Sequence, residues 1–217
     1  LLSALTQRGV WLISIVAMTM TGPMLAFAGL WGVPFVMAEY QLPRPEAAFC
    51  VSMMLFGWAA GAPAAGWLSD RIGRRKTPIL GAAAVQVVLM GTIVLAPGIP
   101  ISVLTVMMFA IGIAGSGMVI SFALAREVTD PVIHGSVSGI VNALTVASGA
   151  ILQPVIGVLL DWQWDGTLVE GARSYSADQF RLAFWSLLAW TATGAVLATR
   201  LRETNCTALL QTHTTKP

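Results

Sequence analysis

The charged residues that could do chemistry are concentrated in one short stretch. Asp70, Arg71, Arg74, Arg75 and Lys76 place five charges within seven positions, between two long runs that contain none. A carboxylate beside several basic groups can form ion pairs, and guanidinium groups also bind phosphate. The basic part of the stretch resembles a nucleic-acid patch. However, basic residues at the end of an apolar run more often anchor a helix end at a membrane surface, so we expect no nucleic-acid partner.

A second set of small and polar residues recurs along one apolar run. Ser138, Asn142, Thr145, Gly149 and Gln153 fall within about 60° of Asn142 if each residue turns a helix by about 100°. Polar side chains in lipid are costly unless they are hydrogen-bonded, so they cluster at helix contacts or in solute cavities. Two interpretations stay open. This face either holds helices together by hydrogen bonds, or it forms the wall of a solute cavity.

Three further residues are candidates for lining such a cavity. Phe27 and Trp31 lie in the first apolar run, and Ser116 lies in the fourth. Aromatic residues in helices usually serve packing, which is the competing interpretation. The candidate solute-cavity residues are therefore Phe27, Trp31, Ser116, Asn142, Thr145 and Gln153.

The sequence lacks the usual signatures of catalysis and cofactor binding. It contains no Walker loop, no glycine fingerprint for dinucleotides, and no cluster of His, Cys and carboxylate residues in its apolar runs. Its two cysteines, Cys50 and Cys206, provide neither a disulfide framework nor a spaced set of metal ligands. We therefore expect a protein that is not an enzyme and that holds no cofactor or metal ion.

The elements that carry these residues must lie in a membrane. Of the 217 residues, 56% are hydrophobic and 10% are charged, and the mean hydropathy is +0.78; soluble domains are about 45–50% apolar and about 25% charged. Continuous apolar runs of this length exclude the alternating strands of a barrel and favour helices. The predicted fold is an all-α bundle of six transmembrane helices, over about residues 11–38, 47–68, 79–97, 101–125, 132–160 and 182–199.

The distribution of basic residues predicts the orientation of the bundle. Six spans place both ends of the segment on one side. The 12 Lys and Arg residues divide nine to three, because only Arg44, Arg173 and Arg181 fall in the alternate loops. By the positive-inside rule, both ends and the charged stretch are cytoplasmic.

The segments outside the spans are interpreted from their composition. Residues 1–203 are predicted to form the bundle, and the short, polar segment 204–217 is predicted to be a disordered cytoplasmic tail. The polar segment 161–181 is either a solvated loop or a lid over a binding site. The chain opens on Leu1 rather than Met, which suggests the middle of a longer protein.

Glycine and proline predict where helices pack closely and where one is interrupted. In the second span, Gly57 and Gly61 begin a stripe of small residues that lets another helix approach. In the first span, Pro23 and Pro34 each follow a nearby glycine. Because proline removes a backbone donor, we expect the first helix to bend there, as helices along solute paths often do.

The stretch GWLSDRIGRRK, from Gly66 to Lys76, closely resembles the signature of the major facilitator superfamily. That signature is written G-x-L-a-D-r-x-G-r-r/k-x, and it lies between the second and third helices of a six-helix half. Only Ser69 departs from it, because Ala or Gly is usual there. The stretch from Arg126 to Gly157 is similar to the eleventh helix of the family. The resemblance therefore implies a C-terminal half, spans 7 to 12, of a twelve-span transporter.

The resemblance also implies a role for the charged stretch. In the family, the carboxylate of this loop faces a helix N-terminus in the opposite half, where free backbone donors and the helix dipole favour an anion. Asp70 holds that position here, the arginines can pair with carboxylates or lipid phosphates, and Gly73 permits the tight turn. The implied cytoplasmic gate, called the latch below, consists of Gly66, Leu68, Asp70, Arg71, Gly73, Arg74 and Arg75.

The function implied by the resemblance is that of a secondary transporter half in the cell membrane. It would move a small solute by alternating access, with the solute bound near the bilayer midplane. Its partners would be the solute, membrane lipids, and either the missing N-terminal six-helix half or a second copy. The alternative is a non-transporting six-helix membrane protein that uses the fold to bind a partner.

Overall fold

The six predicted transmembrane helices are confirmed. A computed structural model describes residues 6–169 and 171–209. Its six apolar spans are Arg8–Tyr40, Arg44–Ile72, Lys76–Leu95, Ile101–Glu127, Pro131–Trp162 and Ala177–Ala198, numbered 1 to 6 below. Their elements are α1 (Arg8–Pro23), a π-helical segment (Met24–Trp31), α2 (Gly32–Tyr40), α3 (Arg44–Ile72), α4 (Lys76–Leu95), α5 (Ile101–Ser116), α6 (Val119–Glu127), a 3₁₀ turn (Pro131–Ile133), α7 (His134–Trp162) and α8 (Ala177–Ala198).

Backbone geometry, rather than the position of charges, sets the ends of these helices. Span 2 is predicted over 47–68 but extends over Arg44–Ile72, because its charged end turns remain helical beyond the apolar run. It ends at Gly73, whose left-handed φ of 67° suits glycine. Span 3 stops at Leu95, before its predicted end, because Ala96 is extended.

Span 1 changes its helical form between the two predicted interruptions. It is α-helical up to Pro23, and it then widens into the π-helical segment Met24–Trp31, here called the π segment. The α-helix resumes before Pro34. Neither proline can donate a hydrogen bond to a carbonyl of the preceding turn. Because that bond is absent, the backbone near each proline can change from the α-helical to the π-helical hydrogen-bond pattern. Such π turns are rare and often lie at functional sites.

The spans pack in pairs around span 1. Span 2 packs on span 4, span 3 on span 6, and span 1 on spans 5 and 6. Buried apolar residues form one group around Phe27, Phe35 and Phe184, and a second around Met20 and Val141. Of the six spans, span 1 is the most buried, so it forms the centre of the unit.

Spans 2 and 4 touch through their backbones. An added Cβ on Gly57 would lie 2.0 Å from the carbonyl oxygen of Phe109, and one on Gly112 would lie 2.0 Å from that of Met54. No side-chain atom fits at such distances. The predicted small-residue stripe therefore serves close helix packing, and the contact is reciprocal.

The segment between spans 5 and 6 contains a small hairpin that the sequence did not predict. Strands β1 (Leu168–Val169) and β2 (Ala172–Arg173) pair antiparallel. Arg173 forms an ion pair of 2.6 Å with Asp161 at the end of span 5, and its guanidinium lies 4.6 Å from the ring centroid of Trp164. These contacts hold the hairpin against span 5. The side of the bundle that carries it is called the hairpin end, and the opposite side the loop end.

Candidate functional site

The charged stretch at the loop end folds around Arg75. Its guanidinium donates to Asp70 over 2.6 Å and to the Ser69 hydroxyl over 3.0 Å. It also donates twice to Glu127 of span 4, over 2.8 and 2.9 Å. One arginine therefore joins the end of span 2 to the end of span 4. Together with two residues that follow span 6, these groups form the loop cluster: Ser69, Asp70, Arg75, Glu127, Glu203 and Thr204.

Burial differs sharply between the two carboxylates that Arg75 binds. The side chains of Arg75 and Glu127 are 11% and 13% exposed, whereas that of Asp70 is 67% exposed. Burial by itself lowers the pKa of Arg75. The hydrogen bonds to Glu127 and Asp70 outweigh burial and raise this pKa, so the guanidinium stays charged. The buried pair therefore stabilises the fold, while Asp70 keeps a free surface.

Glu203 caps the start of span 3. Its carboxylate accepts the backbone N–H groups of Arg75 over 2.7 Å and of Lys76 over 3.1 Å, where the helix begins. Burial raises the pKa of Glu203, but these and neighbouring backbone hydrogen bonds outweigh burial and lower this pKa. The stabilisation by Glu203 is therefore present above its ordinary pKa and is lost as the pH falls through the lowered value.

The segment that follows span 6 also packs on the cluster. The hydroxyl of Thr204 donates to Glu127, and the backbone N–H of Leu209 donates to the Glu127 carbonyl over 2.8 Å. Thr204 is buried. Residues 204–209 thus differ from the disorder predicted for 204–217, because the carboxylate of Glu127 supplies a partner that composition does not reveal. Residues 210–217 lie outside the described residues.

The remaining latch residues are placed around this cluster rather than in it. Leu68 is exposed, and Gly66 has no atom within 4 Å of an added Cβ. Arg71 lies over the Trp67 ring, with its guanidinium carbon 5.1 Å from the ring centroid. Arg74 is exposed. Leu68, Arg71 and Arg74 therefore contribute to an exposed surface at the loop end that is both basic and apolar.

Ser69, the one departure from the signature, has a specific contact. Its hydroxyl donates to the Arg74 carbonyl over 2.8 Å and accepts from Arg75, and the residue is fully buried. Alanine or glycine at this position has no hydroxyl to offer. Sequence reasoning did not identify Glu127, Glu203 or Thr204. The sequence indicated only that these three residues lie on the same side of the membrane as the charged stretch.

Two of the candidate cavity residues meet at the π segment. The Gln153 side-chain amide donates to the Leu25 carbonyl over 2.9 Å, and the Trp31 indole N–H donates to the Gln153 carbonyl over 3.0 Å. Leu25 also lies against Gly149, with its Cβ 3.0 Å from an added Cβ. Spans 1 and 5 are thus hydrogen-bonded where the turns of span 1 widen.

The other four candidate cavity residues are not part of this arrangement. Phe27 is fully buried between the rings of Phe35 and Phe184, so it belongs to the core of the bundle. Ser116 and Thr145 are buried and donate to carbonyls of their own helices. Asn142 is exposed on span 5. Within residues 6–169 and 171–209, no group of three His, Cys, Asp or Glu side chains is placed to hold a metal ion.

Comparison with known proteins identifies the family. The Major Facilitator Superfamily model matches residues 9–209. Galactose-proton symporters from two strains of Escherichia coli are 42% identical over 50 residues, which is 23% of this chain and 11% of each symporter. The xylose transporter of E. coli, solved in an inward-open conformation, matches with a TM-score of 0.68 and 16% identity, over 89% of this chain and 48% of the transporter. The chain thus spans about half of that transporter.

These matches agree with the architecture and with the charged stretch between spans 2 and 3. The solved transporter shares the fold of the six-helix unit, and the family match extends from the start of span 1 to the segment beyond span 6. Because that match covers almost the whole chain, the chain belongs to the Major Facilitator Superfamily, as a multi-pass membrane protein.

Proposed function

We propose that the chain is one six-helix half of a secondary transporter in the cell membrane, which moves a small solute by alternating access. The loop cluster is the observation that carries this proposal. Arg75 fixes the ends of spans 2 and 4 through Glu127, while Asp70 remains 67% exposed beside it. A carboxylate held in this way is available to a helix N-terminus of an opposite half. In this proposal, Arg75 and Glu127 hold the latch in place, and the exposed carboxylate of Asp70 accepts hydrogen bonds from the opposite half.

The second half completes the pathway in this proposal. It is the missing N-terminal six-helix half or a second copy, because the chain spans about half of the solved xylose transporter. The loop end is cytoplasmic in this proposal, which the nine-to-three division of Lys and Arg in the sequence supports. Rocking of the halves breaks and remakes the Asp70 contact. Monosaccharides are the first solutes to test, since the relatives are named for galactose and xylose.

Loss of the Asp70 charge is expected to impair transport while leaving the fold intact. Asp70→Asn keeps the shape but removes an anion worth about 1 kcal/mol at a helix terminus, which changes a balanced equilibrium between conformers about fivefold. Uptake of labelled galactose and xylose into proteoliposomes containing the full-length protein measures the effect. Conformer populations are read by distance measurements between spin labels on the two halves.

The matched control for this experiment is Asp130→Asn at the same end of the bundle. Asp130 caps the turn at Val132 through a side-chain oxygen, and asparagine caps equally well, so uptake should stay at the level of the unmodified protein. Unchanged uptake and unchanged conformer populations in Asp70→Asn, at equal expression, would remove Asp70 from the latch. No uptake of any solute by the unmodified protein would count against transport itself.

Gln153 and Asn142 are expected to respond differently to truncation. Gln153→Ala removes a hydrogen bond between spans 5 and 1, so it should lower stability by about 0.6 kcal/mol. Asn142 is exposed on the same helix, and we propose that it contacts solute. Asn142→Ala should therefore raise the apparent KM without changing the melting temperature. Uptake kinetics and thermal unfolding measured on the same preparations separate these effects. A lower melting temperature with an unchanged KM in Asn142→Ala would assign Asn142 to packing.

A further inference from the structure

A cavity beside the loop cluster has a composition that transport does not explain. It has a volume of about 380 Å³ and lies between the start of span 1, the residue after span 4 and the segment after span 6. Leu12, Val128 and Leu209 contribute apolar walls, and Arg200 and Arg202 contribute basic groups. Its lining therefore combines a hydrocarbon surface with two cations.

Arg200 and Arg202 carry exposed charges at this cavity. None of the ion pairs among residues 6–169 and 171–209 involves Arg200 or Arg202, and both side chains are exposed. Two carboxylates that adjoin lining residues in the sequence are already bound. Glu127, next to Val128, pairs with Arg75, and Glu203, next to Arg202, caps span 3. In the part of the chain that the structure describes, the cavity therefore carries positive charge that is not paired with an acid.

We propose that this cavity binds an anionic phospholipid. Arg200 follows the last turn of span 6, and Gly9 opens span 1, so the cavity lies at the level where spans leave the hydrocarbon core and meet lipid headgroups. Guanidinium groups bind phosphate by paired hydrogen bonds. The glycerol and ester carbons of the lipid rest on the apolar walls, which a soluble anion would leave uncovered. Charge and apolar surface together favour a lipid over a free phosphate.

Lipid binding has a structural consequence for the loop cluster. Leu209, which forms one wall, donates its backbone N–H to Glu127. A lipid that fills the cavity therefore holds the segment after span 6 against the carboxylate that pairs with Arg75. Because a ligand stabilises the state that binds it, anionic lipid should stabilise the loop end even in the absence of solute. This inference does not depend on the transported solute.

The test is thermal unfolding of the purified full-length protein in detergent, with added phosphatidylglycerol, phosphatidylcholine or inorganic phosphate. We expect phosphatidylglycerol to raise the melting temperature and the other two additions to leave it unchanged. Arg200→Gln and Arg202→Gln should each weaken the phosphatidylglycerol affinity about fivefold, and the double variant about 25-fold. Arg126→Gln, which removes an exposed charge at the same end of the bundle, is the matched control and should retain the full response.

A second variant tests whether the space of the cavity, and not only the charge of its arginines, is needed for lipid binding. An added Cβ on Gly9, which lines the cavity, meets no atom within 4 Å. Gly9→Phe should therefore fold, fill the cavity and abolish the phosphatidylglycerol response with both arginines present. A retained response in Gly9→Phe, or an equal response to inorganic phosphate, would overturn the proposal. So would an equal loss of affinity in Arg126→Gln.

Discussion

Replacing Arg75 by glutamine is expected to lower the free energy of unfolding by about 3 kcal/mol. The guanidinium is the partner of Glu127, whose side chain is only 13% exposed. Removing one member of a buried ion pair leaves the other charge without compensation, which costs more than the pair contributes. The Ser69 hydroxyl and the Asp70 carboxylate also lose their donor. The measurement is thermal and denaturant unfolding of the full-length protein in detergent.

A double-mutant cycle shows whether buried charge is the cause. Glu127→Gln in the Arg75→Gln background removes the uncompensated charge, so the double variant should be more stable than Arg75→Gln alone. Arg74→Gln is the control next in the chain. Its side chain is exposed, and surface substitutions usually change stability by less than about 0.5 kcal/mol. If Arg75→Gln and Arg74→Gln unfold alike, Arg75 is not a structural residue.

This prediction separates two functions within one signature. Arg75 is buried and acts within the six-helix unit, whereas Asp70 is exposed and has acceptor capacity left for another half. The main effect of Arg75→Gln should therefore be a lower stability. The main effect of Asp70→Asn should be a change in the populations of the inward-open and outward-open conformers. A motif that looks uniform in sequence thus divides into a residue that holds the fold and a residue proposed to act during transport.

The spans could be predicted because lipid imposes one simple rule. A backbone without water must satisfy its hydrogen bonds in a helix or a closed barrel. Because the apolar runs are continuous rather than alternating, each of them had to be a helix. The pairing of Arg75 with Glu127 could not be predicted in the same way, because the two residues are 52 positions apart. Several acids and bases were available at that end of the bundle. Only tertiary packing selects among them.

For the candidate cavity residues as well, the sequence predicts the helix that carries them but not the residues that they contact. Helical geometry predicts one face for these residues. Thr145, Gly149 and Gln153 on that face are at least partly buried, whereas Asn142 at its centre is exposed. Helical geometry does not say what lies opposite such a face. Phe27, for which the sequence leaves both cavity lining and packing open, belongs to the aromatic core. The prolines of span 1 indicated an interruption. The contact between Gln153 and Leu25 depends on the π segment, which the sequence did not predict.

Gly112→Ala is expected to lower stability by about 2 kcal/mol, because spans 2 and 4 have no room for a side chain between them. The added Cβ would lie 2.0 Å from the carbonyl oxygen of Met54 and 2.8 Å from the backbone nitrogen of Trp58. These atoms belong to a helix backbone and cannot rotate away as a side chain can, so the helices must separate. Overpacking of this kind typically costs about 1–3 kcal/mol. Thermal unfolding in detergent measures the loss.

The contact between spans 2 and 4 is reciprocal, and this property gives the Gly112 experiment its controls. Gly57→Ala should cost a similar amount, because its Cβ would lie 2.0 Å from the Phe109 carbonyl oxygen. The double variant should cost less than the sum, since one separation of the helices relieves both clashes. Gly81→Ala in span 3 meets no atom within 4 Å and should leave the melting temperature unchanged or raise it slightly. A Gly112→Ala protein as stable as Gly81→Ala would show that the two backbones are not in contact, and additive losses would show that one separation of the helices does not relieve both clashes. Span 2 carries Asp70 and span 4 carries Glu127. Separation of these two helices would therefore also weaken the ion pairs through which Arg75 joins Asp70 to Glu127.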